Sequence, residues 1–199
     1  MVFGVLIAFL AVCGIFALAV YSGAISAPFN RPFTTVGVSE QKAYPVPCLP
    51  AVKGQPDGAL PIAYAQIQVN LLNASGETGL ASAHETVLAE RGFDIKDKNN
   101  VPLLLQESEI RFGANGVVQA YTLGAQFPKM RLVLDDRKGP AVDLLIGENF
   151  DPPLDVEDVD VTANQPLRNA KDCVPVDTVE PQKRLLPTKQ GEEEVQPAK

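Results

Sequence analysis

The residues of this sequence best suited to hold a ligand lie in a glycine-rich turn: Asn73, Ala74, Ser75, Gly76 and Gly79, between a predicted strand and a predicted helix. Free N–H groups and the helix dipole at such a turn can bind an anion. The turn has neither the GxGxxG pattern nor the lysine of a P-loop. A purely structural interpretation is also open, in which Asn73 or Ser75 caps the turn and the glycines permit its backbone conformation. We therefore take these five residues as a candidate binding loop.

Side chains that could catalyse a reaction are not paired in this sequence. His84 is the only histidine and lies one helical turn from both Leu80 and Leu88, with no nucleophile motif to pair with. The acidic residues at 151–160 could hold calcium, but they lack the spacing and the glycine of an EF-hand, and a solvated acidic loop explains them more simply. We expect His84 to be structural. We predict no catalytic residue, no metal site, no cofactor and no enzymatic activity.

The charge balance restricts the possible partners. The 199 residues include 17 Lys and Arg against 24 Asp and Glu, which gives a net charge of −7. Because no basic cluster is present to neutralise phosphates, we predict no binding to nucleic acid. The same deficit argues against a polybasic contact with anionic lipid headgroups.

An uncharged apolar stretch from Val2 to Tyr21 opens the chain, and the first charged residue is Arg31. About 20 apolar helical residues span a hydrocarbon core of about 30 Å. Residues 1–27 are therefore predicted to be a single transmembrane anchor that contacts the membrane through residues 2–27. A cleaved signal peptide is the alternative, although the basic n-region is missing and the apolar run is long for such a peptide. The charges near the stretch do not fix its orientation.

Two of the three cysteines flank the central part of the chain. Cys48 and Cys173 lie outside the apolar stretch, whereas Cys13 lies within it. An even number of cysteines in an oxidising compartment favours a disulfide, which here would close a long loop. The alternative is two free thiols in flexible segments. A zinc site is not expected, because neither cysteine has a nearby His or Cys partner.

Shifts in composition divide the chain into five segments. Seven prolines between residues 28 and 61 exclude helix and central strand and indicate an extended extracytoplasmic linker. Repeated aspartates follow residue 150, and the C-terminus is rich in Lys, Glu, Gln and Pro without periodicity, which is typical of disorder. The predicted segments are an anchor at 1–27, a linker at 28–65, an ordered domain at 66–150, an acidic extension at 151–175 and a disordered tail at 176–199.

Hydrophobic periodicity predicts an α/β domain with the element order β-α-β-β-α-β-β. Strand–helix–strand units favour parallel neighbours joined by right-handed crossovers. A polar turn at 135–140 predicts a hairpin between the last two strands, and a loop is predicted at 97–107. Two helices are too few for both faces of the sheet, so we expect a two-layer sandwich with both helices on one face. The predicted strands are 66–72, 93–96, 109–112, 130–134 and 142–146, and the predicted helices are 78–91 and 114–127.

The ordered domain resembles the LytR C-terminal domain family over residues 66–150. The motifs that carry the resemblance are V-N-L-L-N-A-S-G at 69–76, L-A-E-R-G-F at 88–93, E-I-R-F-G at 109–113 and V-D-L-L-I-G-E-N-F at 142–150. They occur in the order expected for the family. The combination of one membrane helix, a proline-rich stem and this domain is similar to that of actinobacterial envelope proteins.

The resemblance implies a non-catalytic, extracytoplasmic role in cell-envelope integrity. The implied partner is an envelope protein or a cell-wall polymer. An alternative is an accessory role to glycopolymer transferases, in which the loop at 73–79 holds an anionic lipid-linked substrate. Related proteins carry the module beside a LytR–CpsA–Psr phosphotransferase domain, and no such domain is recognisable in these 199 residues.

Overall fold

The computed structural model describes residues 42–185, together with Gly4, Leu6 and Phe9 near the N-terminus. The chain divides into two compact units, Met1–Gly37 and Val38–Lys199. In the first unit the three described residues are helical, and the rest of the predicted anchor at 1–27 lies outside the described residues. Within the described part of the chain, no helix is both long and apolar enough to cross a membrane.

The second unit contains the predicted order of strands and helices. Strands β3 and β5 have the predicted bounds, and the second helix begins with a 3-10 turn at Ala114–Gly116. The strands are β1 (Gln68–Asn73), β2 (Asp94–Asn100), β3 (Glu109–Phe112), β4 (Arg131–Leu134) and β5 (Val142–Ile146), and the helices are α1 (Leu80–Glu90) and α2 (Val117–Gly124).

Strand β2 extends into the region predicted as a loop at 97–107. It pairs in parallel with β1 up to the contact between Asn73 and Asn100. Its sequence, D-I-K-D-K-N-N, has almost no apolar residues, and it lies at the edge of the sheet. An edge strand is held by backbone hydrogen bonds on one side and tolerates charged side chains, so hydrophobic periodicity gave no sign of its full length.

The predicted hairpin between β4 and β5 is wrong. The strand order is β2-β1-β5-β3-β4, so β5 lies between β1, to which it is parallel, and β3, to which it is antiparallel. All five residues of β5 are buried, as suits a central strand. The turn that follows β4 is no exposed tip, because Asp135 and Arg137 are only 2% and 9% exposed.

One apolar core lies between the sheet and both helices. Leu88 of α1 and Leu123 of α2 belong to the same buried cluster as Leu71, Phe112 and Leu144 from three strands. Alternate residues of a strand face opposite sides, so the two helices cover one face of the sheet, in agreement with the predicted two-layer sandwich. Burial of a side chain of this size contributes about 1.5–3 kcal/mol.

The proline-rich segment predicted as a linker at 28–65 packs onto the domain over its described part. Ala59 is 1% exposed, and its carbonyl accepts a hydrogen bond of 2.9 Å from Leu167 N–H. Cys48 and Cys173 form a disulfide with a Cα–Cα distance of 5.0 Å, which confirms the predicted bridge. Proline disfavours strands that pair along their length but does not prevent burial. Residues 42–65 therefore pack on the domain through isolated bridges and turns.

The C-terminal flank is also ordered further than the predicted disordered tail at 176–199. Val179 is buried in the main core. Gln182 forms a bridge with Asp135 beside β4, where its N–H donates to Leu134 O at 2.9 Å. The domain therefore extends at least to residue 185, and residues 186–199 lie outside the described part of the chain.

Candidate functional site

The loop at 73–79 is shaped by its own side chains. Asn73 Oδ1 accepts hydrogen bonds from Ser75 N–H at 3.2 Å and from Ser75 Oγ at 2.7 Å, and Asn73 Nδ2 donates to Glu77 O at 2.6 Å. Gly76 and Gly79 have φ values of 77° and 89°, in the left-handed region that glycine adopts without strain. These contacts agree with the structural interpretation, in which Asn73 caps the turn.

Ala74 joins this loop to the sheet. Its side chain is buried, and its N–H donates to Ile146 O of β5 at 2.9 Å. Its carbonyl accepts from Leu105 N–H at 2.8 Å. Two segments that are distant in sequence therefore hold the loop in place, one at Ile146 and the other at Leu105.

A cleft of about 430 Å³ opens beside this loop. One wall is the loop and the first turn of α1, and the other is the end of β2, which includes Asn99 and Asn100. Within the described chain, neither of these two amides has a hydrogen-bond partner. Leu104 adds a partly exposed apolar side chain to the lining. The cleft thus combines free hydrogen-bonding groups with a small apolar surface.

The one cation among the described residues that line the cleft is already paired. Lys98 Nζ lies 2.5 Å from Glu85 Oε2 and 3.0 Å from Ser82 Oγ, so two of its three donors are engaged. Glu77 adds an exposed carboxylate to the rim. Helix α1 starts at the opposite side with no side-chain cap on its N–H groups. The helix dipole favours an anion there, but no side-chain cation of the described lining is free to help bind it.

His84 is a core residue, as the sequence predicts. Its ring is 4% exposed, contacts the rings of Phe127 and Phe150, and has Nδ1 2.9 Å from Leu80 O. Burial lowers the pKa of His84, and the hydrogen bond to Leu80 O opposes this only in part. The ring is therefore neutral at pH 7 and takes no part in the cleft.

The lowered pKa of His84 predicts a loss of stability in mild acid. Below pH 6.5 the unfolded chain binds a proton that the folded chain resists, so the free energy of unfolding falls until the pH reaches the folded-state pKa. The loss is about 1.4 kcal/mol for each unit between the two pKa values. Urea unfolding at pH 7.5 and pH 5.5 measures it. A His84→Gln variant should show a smaller difference between these pH values, and an equal difference would contradict the prediction.

A buried ionic network lies on the face of the sheet opposite the helices. Arg137 Nη2 lies 2.5 Å from Asp135 Oδ2 and 2.6 Å from Asp143 Oδ2, and Asn70 Nδ2 donates to Asp143 Oδ1 at 2.6 Å. Burial alone would lower the pKa of the Arg137 guanidinium, but hydrogen bonds to the two carboxylates raise the pKa above its ordinary value. Gly113 allows this arrangement, because a Cβ there would lie 2.1 Å from Arg137 O.

Sequence reasoning missed this network. Asp143 is the only polar residue of β5, and a carboxylate inside a buried strand requires a partner. That signal was present, but the predicted hairpin placed Arg137 at its tip, and the pairing with Asp143 was therefore not recognised.

Metal binding has no support in the structure, since the described residues contain no group of three or more His, Cys, Asp or Glu placed to hold an ion.

Residues 66–150 match the family model described as LytR cell envelope-related transcriptional attenuator, LytR_C. The match has the bounds that the motifs indicate and confirms the resemblance seen in the sequence. The matched residues contain the loop at 73–79, both walls of the cleft and the Arg137 network.

The chain is similar to two further proteins. Cell envelope integrity protein Cei of Mycobacterium tuberculosis is 33% identical over 110 residues, which cover 52% of this chain and 51% of that protein. The match thus spans about half the length of this curated relative. The crystal structure of the soluble domain of a conserved hypothetical secreted protein from Mycobacterium marinum is 29% identical, with a TM-score of 0.48, and covers 55% of this chain and 82% of that chain.

Proposed function

We propose that this protein is a membrane-tethered, extracytoplasmic and non-catalytic protein of the cell envelope. In this proposal its LytR C-terminal domain contributes to envelope integrity by binding an uncharged stretch of a cell-wall polymer. The binding site is the cleft between the loop at 73–79 and the end of β2. The match to the LytR_C family and the name of the relative Cei support the envelope role.

The side-chain amides of Asn99 and Asn100 are the reason for proposing a polysaccharide ligand. An asparagine amide both donates and accepts hydrogen bonds, which suits the hydroxyl groups of a sugar. Leu104 supplies the apolar contact that the C–H face of a sugar ring needs. An uncharged ligand also leaves the pair between Lys98 and Glu85 intact. A polysaccharide therefore matches the chemistry of the cleft.

The alternative is an accessory protein that binds a lipid-linked, anionic substrate for glycopolymer transferases. The uncapped start of α1 favours it, because free N–H groups there can bind a phosphate. Glu77 on the rim disfavours it through charge repulsion. The two functions differ in the charge of the ligand, so one titration distinguishes them.

The titration follows backbone amide shifts of the isotope-labelled full chain. Uncharged oligosaccharides released from purified cell wall should give saturable shifts at residues 73–79 and 98–101, and polyprenyl phosphate should give none. The absence of shifts with the oligosaccharides would overturn the proposal. Shifts centred on Gly79 and Ser82 with polyprenyl phosphate would support the alternative instead.

Replacing both cleft amides should weaken oligosaccharide binding. The Asn99→Ala, Asn100→Ala double variant removes at least two hydrogen bonds worth about 0.5–1.5 kcal/mol each, so we expect affinity to fall about tenfold. Lys96→Ala is the matched control, because Lys96 lies on the same strand, pairs with Asp94 and does not line the cleft. Equal affinities for the double variant and for Lys96→Ala would count against the site. Sensitivity of complemented deletion cells to detergent provides the corresponding test in vivo.

A further inference from the structure

Residues 155–166 form a segment, here called the arch, that is fastened to the domain at its two ends. At one end Leu154 N–H donates to Gln126 O at 2.8 Å, and Leu154 O accepts from Arg91. At the other end Leu167 N–H donates to Ala59 O at 2.9 Å. Between these points the backbone hydrogen bonds of the arch are local, as in the bond from Asp158 N–H to Asp155 O. The arch is therefore held by its ends.

Two grooves lie beside the arch. The first, of about 420 Å³, is bounded by Tyr64, by Val87 of α1, and by three valines of the arch. The second, of about 290 Å³, lies at the end of α2, where apolar residues such as Phe127 and Met130 form one side and polar residues such as Gln165 and Arg168 form the other. Val161 lines both grooves. The three valines are Val156, Val159 and Val161.

Three valines of the arch are exposed or partly exposed close to one another. Val156 is 75% exposed, and Val159 and Val161 are only partly buried. Scattered exposed apolar residues need no explanation, but a contiguous set beside a groove marks a contact site. The grooves offer the pockets into which the apolar side chains of a partner could insert.

Carboxylates alternate with these valines. The sequence from 155 to 161 is D-V-E-D-V-D-V, and no Lys, Arg or His occurs between Lys138 and Arg168. Asp160 has an ion pair with Arg168 at 3.5 Å, in which both side chains are largely exposed. The side chains of Asp155, Glu157 and Asp158 have no ion pair or hydrogen bond within the described chain. The arch therefore carries three unpaired carboxylates beside the grooves, while Arg91 lines the first groove and Arg168 lines the second.

We propose that the arch and its two grooves are a docking surface for a basic, amphipathic segment of a partner protein. Apolar side chains of the segment enter the grooves as anchors, and its Lys or Arg residues pair with Asp155, Glu157 and Asp158. Charge complementarity selects this partner, because these carboxylates repel anionic lipids and polymers and steer a cationic segment toward the site. An uncharged polymer would leave the carboxylates unused. The surface is separate from the cleft at 73–79 and does not depend on its ligand.

The proposal is tested with a fluorescent 15-residue peptide of lysine and leucine. Anisotropy is measured against the full chain in nanodiscs of zwitterionic lipid, with empty nanodiscs as the blank. The expected result is saturable binding that weakens with added salt and is absent for a glutamate–leucine peptide. Amide shifts of the unaltered protein should centre on Val156, Val159 and Val161. An absence of binding, or shifts elsewhere, would overturn the proposal.

Two variants separate charge from apolar contact. The triple variant Asp155→Lys, Glu157→Lys, Asp158→Lys and the triple variant Val156→Ser, Val159→Ser, Val161→Ser should each weaken binding at least tenfold. The control triple variant Glu148→Lys, Asp177→Lys, Glu180→Lys changes the net charge equally at exposed positions outside the arch and should change affinity less than twofold. Equal losses in the control, or unchanged binding by the serine variant, would contradict docking in the grooves. Circular dichroism confirms that each variant is folded.

Discussion

Replacement of Arg137 by methionine is expected to lower the free energy of unfolding by about 3–5 kcal/mol, because it removes one partner of a buried ion pair. The Arg137 guanidinium contacts both Asp135 and Asp143, and all three side chains are buried. Methionine keeps the aliphatic length but leaves two carboxylates without their shared cation. Urea unfolding of the full chain, followed by circular dichroism, measures the loss.

Arg184 provides the matched control for this prediction. It approaches the same carboxylate, with Nε 3.8 Å from Asp143 Oδ2, but its side chain is 41% exposed. An exposed pair contributes about 0–1 kcal/mol, so Arg184→Met should have a small effect. Adding Asp135→Asn to Arg137→Met should recover part of the lost stability, because it removes one uncompensated charge. A loss of less than 1 kcal/mol in Arg137→Met would show that this network does not stabilise the fold.

The bounds of individual strands can be predicted from the sequence, but the order of the strands in the sheet cannot. Strands β3 and β5 are correct to the residue because each is a short segment of strand-forming residues that a glycine follows directly. Local patterns such as these depend on the residues of one segment. The order of the strands depends on more than one segment, because it results from pairing between segments. The insertion of β5 between β1 and β3 left no local sign, apart from Asp143 in an apolar strand.

Only one wall of the cleft, the loop at 73–79, could be predicted from the sequence. The loop at 73–79 was recognisable from its glycines and from the asparagine that caps it. The opposite wall, with Asn99 and Asn100, comes from a polar edge strand whose pairing depends on backbone hydrogen bonds to β1. Backbone pairing has no side-chain signature, so the residues that give the cleft its free amides were assigned to a loop.

Burial of the segments before and after residues 66–150 could not be predicted from the sequence either. Proline density predicted no helix or central strand, and none occurs in residues 42–61, the described part of the proline-rich segment. Burial of an irregular segment, however, needs no periodicity. Ala59 and Val179 lie in the interior although each belongs to a segment without long elements. The two cysteines were the one feature of these flanks that carried long-range information, because a disulfide fixes which two segments meet.

Removal of this disulfide is expected to have the second large effect. The bridge between Cys48 and Cys173 joins residues 125 positions apart, and loss of a native disulfide of this kind costs about 2–5 kcal/mol. For a domain of this size that corresponds to a fall in melting temperature of about 5–15 °C. The loss should begin in the flanks, since Cys48 N–H donates to Val174 O at 2.7 Å and Val174 N–H donates to Val46 O at 2.9 Å beside the bridge.

Thermal unfolding and limited trypsin digestion of the Cys48→Ser, Cys173→Ser variant measure the two parts of this prediction. Trypsin should cut first in the flanks, at Lys53, Arg168 or Lys171, which are exposed in the structure, while residues 66–150 resist. Reductant should reproduce the effect in the unaltered protein and have none in the double variant, and Cys13→Ser should behave as the unaltered protein does. If the double variant kept its melting temperature and its digestion pattern, the hydrogen bonds and apolar contacts of the flanks would suffice, and the bridge would not be what holds the two flanking segments to residues 66–150.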